Sequence, residues 1–92
     1  MLKVRYGRRF KKEFQKMLQR QGHTCGKFNA VLEYLINEKP LPPEYSDHAL
    51  RGDYVGYREC HIMPDWLLIY KVAKDTLTLV LVRTGSHSDL FR

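Results

Sequence analysis

Cysteine is scarce in this chain of 92 residues: Cys25 and Cys60 are the only two, and they form no C-x-x-C pair. Both are read as free thiols of a reducing compartment. Long apolar runs are missing as well. The longest, Trp66 to Tyr70, falls far short of the ~20 residues a membrane span needs. The basic N-terminus is followed by no apolar segment of the kind a signal peptide carries. A soluble, cytoplasmic protein without a membrane partner is expected. Internal repeats and low-complexity tracts are absent too, so residues 1–92 are read as a single domain. A domain of this size buries roughly 60–70% of the surface its unfolded chain exposes.

Acidic residues are outnumbered, with 10 Asp and Glu against 16 Lys and Arg, for a net charge of +6. The imbalance is local. Through residue 20 there are eight basic side chains (Lys3, Arg5, Arg8, Arg9, Lys11, Lys12, Lys16 and Arg20) and one acid, Glu13. A basic segment of this kind attracts a polyanion, of which nucleic acid is the usual one. The plainer alternative is a solvated helix face.

Residues 2–6 alternate apolar and basic side chains, which suits a short strand. After Gly7 the period becomes helical, with Phe10, Phe14, Met17 and Leu18 on one side and Arg9, Lys12, Lys16 and Arg20 on the wet side, until Gly22. Thr24 can cap a second helix with Phe28, Val31, Leu32, Leu35 and Ile36 as its apolar stripe, ended by Pro40. Residues 44–56 read as a loop or an irregular strand. Three strands follow at about 54–63, 66–72 and 76–83 and form an antiparallel meander. The expected fold is α+β: an N-terminal strand, an α-helical hairpin and a small twisted sheet with the helices on one face.

A two-residue turn at Pro64-Asp65 sets Met63 opposite Trp66, Ile62 opposite Leu67 and Cys60 opposite Ile69. One face then carries Cys60, Ile62, Leu67 and Ile69, and the other Glu59, His61, Trp66 and Tyr70. If Lys74-Asp75 is also a two-residue turn, Trp66 pairs with Arg83, Leu68 with Leu81 and Tyr70 with Leu79. Val80 and Val82 join the apolar face. His87 must then fall near Asp65, and the second sheet face becomes a groove lined by His61, Asp65, Trp66, Arg83 and His87.

Histidine exchanges protons near neutrality, and a neighbouring carboxylate widens the choice of acid and base. Arginine supplies fixed positive charge where a phosphorane builds up negative charge. Trp66 and Phe91 offer flat surfaces for an unstacked base. The set suits RNA cleavage without metal or other cofactor. Each residue has a quieter reading: His48 on the surface beside Asp47, His61 bonded to Glu59, Asp65 as a turn residue, Trp66 as packing with Arg83 stacked on it, and His87 at a frayed end. His23 reads as structural. Zinc held by His48, His61, His87 and Asp65 is an alternative that no tight local pair of ligands supports.

Three stretches carry a more specific signal: Asp47-His48-Ala49-Leu50-Arg51-Gly52, then Gly56 through Lys71 with His61 and Pro64-Asp65-Trp66, and Arg83-Thr84-Gly85-Ser86-His87 running on to Leu90-Phe91. Together they resemble the YafQ-type branch of the RelE/ParE toxin superfamily, closely over residues 45–91 and in layout over the whole chain. The resemblance implies a RelE-like fold and a bacterial type II toxin, an endoribonuclease that cuts mRNA in the ribosomal A site. His48, His61, Asp65 and His87 would be its acid/base group, with Asp65 favoured as base and His87 as acid. Arg83 would stabilise the phosphate, and Trp66 and Phe91 would position the mRNA. Arg8, Arg9, Lys12, Lys16 and Arg20 would face ribosomal RNA. The implied partners are a cognate antitoxin, the ribosome with its mRNA, and operator DNA through the antitoxin complex. A ParE-like gyrase inhibitor, with no evident use for paired proton donors and acceptors, and an inactive RNA-binding relative are the competing readings.

Overall fold

In the computed structural model, which describes residues 1–91, the change of periodicity at Gly7 separates strand β1 (Lys3–Tyr6) from helix α1 (Arg8–Leu18). Gly7 donates its N–H to the Leu81 carbonyl at 2.9 Å. A Cβ there would stand 2.7 Å from that same oxygen, so the close approach of backbone to backbone admits only glycine. Helix α2 (Cys25–Ile36) begins at Thr24, whose hydroxyl accepts from the Lys27 N–H at 3.2 Å. The two helices face each other through aromatic rings, Phe14 lying 5.4 Å from Phe10 and 4.7 Å from Phe28.

After a 3₁₀ turn at Pro43–Tyr45 come β2 (His48–Ala49), a second 3₁₀ turn at Gly52–Tyr54, β3 (Arg58–Met63), β4 (Trp66–Ala73), β5 (Thr78–Gly85) and α3 (His87–Leu90). The strands form one sheet in the order β1-β5-β4-β3-β2. Its centre is the expected meander. β1 adds to it as an edge, parallel to β5, and the two-residue β2 adds to the other edge, antiparallel to β3.

Two register expectations fail. Met63 does face Trp66, but a bulge between His61 and Met63 then sets His61 opposite Leu67 and Cys60 opposite Leu68. One extra residue in a strand exchanges the faces of everything beyond it. Cys60 and Ile62 consequently share the helix-facing core with Trp66, Leu68, Tyr70, Leu79 and Leu81, not with Leu67 and Ile69. The β4–β5 connection spans four residues, Lys74 to Leu77, with Leu77 at φ 50°, and a second irregularity follows at Ile69/Tyr70. Arg83 therefore pairs with Ile69 instead of Trp66, and Tyr70 pairs with Leu81.

The sheet is covered on both sides. On the face away from α1 and α2, Leu67, Ile69 and Leu90 of α3 form a smaller cluster, with Leu50, Tyr54, Tyr57 and Val82 packed against it, so the helices do not all lie on one face as expected. Cys60 is buried and Cys25 exposed, both as free thiols. Among the described residues no helix is long and apolar enough to cross a membrane.

Candidate active site

His61 projects from β3 two residues after Glu59, so the strand's two-residue period sets both on the face away from α1 and α2. The edge strand β2 brings His48 opposite Glu59 in register. The Glu59 side chain is buried, and its Oε1 lies 3.4 Å from His48 Nε2 and 3.7 Å from His61 Nε2. Because His48 Nδ1 donates to the Ser46 carbonyl at 2.7 Å, its contact with the carboxylate is favourable only with a proton between them. Glu59 Oε2 is buried without a hydrogen-bond partner among the described residues. Below this group, Asp47 accepts from Arg58 Nη2 at 2.8 Å and from the Tyr70 hydroxyl. It thereby fixes the chain immediately before His48.

The β3–β4 turn and α3 supply the other half. Ser86 caps α3, its hydroxyl accepting from the Asp89 N–H while the Asp89 carboxylate accepts from the Ser86 N–H. Asp89 is also bound by Arg20 at 3.0 Å. The cap presents the His87 N–H to Asp65 Oδ1 at 3.0 Å, and His87 Nδ1 lies 3.2 Å from the same oxygen. The main-chain bond first, and then the imidazole, hold the Asp65 carboxyl below the usual carboxylate range. The ring of His61 lies 5.5 Å from that of His87 and 6.3 Å from that of His48. The four expected acid/base residues thus form a continuous row.

Arg83 belongs to a neighbouring group. Its Nε and Nη2 donate to Glu13 Oε2 at 3.1 and 2.5 Å, and its Nη1 donates to the Tyr54 hydroxyl at 3.2 Å. These bonds, Glu13's above all, raise the guanidinium above its ordinary value, so its charge is permanent. Tyr54 meets Phe91 edge to face at 6.3 Å. Phe91 closes the helix that His87 begins and is 43% exposed.

Trp66 is a correction. It is wholly buried in the helix-side core, donating from Nε1 to Thr84 Oγ1 at 2.9 Å and stacked on His23 at 4.4 Å with 3° between the rings. No face is left on which a base can lie. The bulge is the cause, since it turns Trp66 toward the helices. Of the cations expected to face RNA, Arg8, Arg9, Lys12 and Lys16 on α1 are exposed, and Arg20, also exposed and just beyond the end of α1, is tied to Asp89. Among the described residues no group of three or more His, Cys, Asp or Glu side chains is arranged to hold a metal ion.

His23, beneath Trp66, predicts a pH dependence. Burial holds its imidazole below the ordinary value, and its Nδ1 is buried without a hydrogen-bond partner among the described residues. The unfolded chain takes up this proton near pH 6.5, about the unperturbed value, while the folded chain resists it. The stability from neutral His23 is complete above that pH and is lost as pH falls toward the folded value. Thermal midpoints measured from pH 7.5 to 5 are expected to fall, and His23→Phe is expected to flatten the slope.

Sequence reading missed Glu13 and Tyr54 as site members, and it gave Glu59 only as a bonding partner of His61, the contact found here. Glu13 had one signal, as the lone acid of a basic segment. Glu59 had another, alternating with His61.

Residues 2–92 match the family described as the bacterial toxin of the type II toxin–antitoxin system, YafQ. The chain is 38% identical over 89 residues to the mRNA interferase toxin YafQ of Escherichia coli K12, covering 96% of this chain and 94% of that one. Among solved structures, the metal-bound toxin from Helicobacter pylori superposes with a TM-score of 0.88 at 43% identity, over 99% of this chain and 100% of that one. The E. coli DinJ–YafQ complex superposes with a TM-score of 0.83 at 38% identity, over 100% of both chains.

Proposed function

Since the chain belongs to the YafQ family of bacterial type II toxins, we propose that it cuts mRNA in the ribosomal A site by acid/base catalysis through the row His48, His61, His87 and Asp65. It is the toxin of a type II toxin–antitoxin system and an mRNA interferase, an endoribonuclease, and an antitoxin is its partner. The antitoxin complex, and not the toxin alone, contacts operator DNA. The cytoplasm, where ribosomes and antitoxin are, is the place of action.

The observation that carries the mechanism is the contact between Asp65 and His87. A carboxyl held below its usual range is ionised at neutral pH, which makes it an acceptor and unfit to be the acid. Asp65 takes the proton of the ribose 2′-hydroxyl. The 2′-oxygen attacks the adjacent phosphorus in line, and the bond to the 5′-oxygen breaks. An imidazolium at His87 gives Nδ1–H to Asp65 and has its Nε2–H on the far side of the ring for the leaving 5′-oxygen. The products are a 2′,3′-cyclic phosphate and a 5′-hydroxyl. His61 and His48, backed by the buried Glu59 carboxylate, hold and balance charge beside the phosphate. Arg83 opposes the negative charge of the phosphorane, and Phe91 receives a base.

The exposed cations of α1 meet ribosomal RNA. Each neutralised phosphate adds roughly 0.7–0.9 to the slope of log affinity against log salt.

The test is cleavage of one mRNA, free and programmed in ribosomes with a defined A-site codon. Expected is a cut confined to that codon, ending in a cyclic phosphate, with the free RNA cut far more slowly. Equal rates on both substrates overturn the ribosome dependence. Loss of activity to a zinc-selective chelator overturns the metal-free step.

A further inference from the structure

Glu13 is the only acid among the first twenty residues, on a helix whose exposed side is otherwise basic. For a surface that binds a polyanion, a carboxylate there is a cost. Its side chain is 19% exposed and points inward, toward Arg83, whose own side chain is 11% exposed. The grip is side-on: Nε and Nη2 of the guanidinium both donate to Oε2. Oε1 accepts from the Thr84 main-chain N–H at 3.3 Å, so the strand that carries Arg83 also fixes the carboxylate that holds it. Tyr54 takes one N–H of Nη1 from another side. Of the guanidinium's five N–H groups, two remain, one on each Nη, and no other described residue takes them.

We propose that Glu13 is a positioning residue for the cleavage reaction. It locks the Arg83 guanidinium in one orientation, so that the remaining N–H pair is already aimed when charge develops on the phosphate. This rests on the reading of Arg83 as the phosphate stabiliser. A guanidinium fixed in advance costs no reorganisation at the moment of reaction, whereas a loose one must be ordered in the transition state. Helix α1 then has two sides with separate tasks: cations outward for RNA, and one anion inward for the site.

Single-turnover cleavage of ribosome-bound mRNA, measured against toxin concentration, separates this role from a stabilising ion pair. Glu13→Gln is isosteric but replaces one of the two acceptor oxygens with an amide donor, which meets an N–H of Arg83 or Thr84 in either orientation. The maximal rate is expected to fall about 10- to 100-fold. The concentration for half-maximal rate is expected to stay level or fall, because the exposed Arg9, whose Nε lies 3.9 Å from Glu13 Oε2, is freed from its anion. In an Arg83→Ala background the same substitution is expected to change the rate less than about twofold, the signature of a residue acting through another. Glu13→Asp, which keeps the charge but shortens the reach, is expected to lose rate like Gln. Thermal melts of every variant establish that each is folded.

An unchanged maximal rate in Glu13→Gln, or an equal loss with and without Arg83, overturns the positioning role and leaves the ribonuclease reading standing. Wild-type cleavage by Arg83→Ala instead removes Arg83 from the reaction, and Glu13 with it.

Discussion

Replacing His87 with alanine is expected to lower mRNA cleavage by about 10²–10⁴-fold, the usual worth of a proton-transfer group, and to relieve the growth arrest caused by induction. The structure makes this a clean subtraction. His87 is exposed, so no core is disturbed, and its main-chain N–H, the stronger of its two holds on Asp65, survives the change. Asp65 stays ionised and in place while the acid disappears. Measured by single turnover on programmed ribosomes, the loss should fall on the rate and leave binding intact. Arrest that persists with wild-type cleavage would remove His87 from the mechanism. In the wild type, the carboxyl of Asp65 lies below its usual range of about 3.9. Any decline in rate between pH 7 and 5 therefore belongs to another group.

Trp66→Ala is the substitution expected to cost most in stability, about 3–5 kcal/mol for a buried aromatic, out of a total of roughly 5–15 kcal/mol. The ring is wholly buried, packed between the sheet and the rings of Phe14 and His23. Its N–H ties β4 to Thr84, which in turn donates to the Leu67 carbonyl at 2.6 Å. Trp66→Phe keeps most of the packing and leaves the Thr84 bond to Leu67 in place. Its loss is expected to be smaller, on the order of 1–2 kcal/mol. Urea unfolding followed by circular dichroism measures both. A Trp66→Ala protein as stable as the wild type, yet weaker in binding RNA, would return this residue to the substrate surface.

Trp66 also marks where reading from sequence stops. The helices are legible because their signals are local: the spacing of Phe10, Phe14 and Met17, and the cap at Thr24. The meeting of His87 with Asp65 is legible too, since it needs only the order of the strands and the end at which each finishes. Face assignment is different, because period two survives only until an extra residue enters the strand. The bulge beside Ile62 has no glycine or proline to announce it. The β4–β5 turn hides in the same way, with Leu77, a residue ill suited to positive φ, in the left-handed conformation. Glu13 and Arg83 meet from opposite ends of the chain. No periodicity links residues so far apart.

The parallel pairing of β1 with β5 joins the first strand made to the last. Arg83, His87 and Phe91 all come from the closing stretch of the chain, and the carboxylate that holds Arg83 comes from its opening one. Such non-local pairing forms late, after the cost of closing the whole loop is met. The half of the site on β3 and the β3–β4 turn is therefore expected to form before the half that β5 and α3 supply.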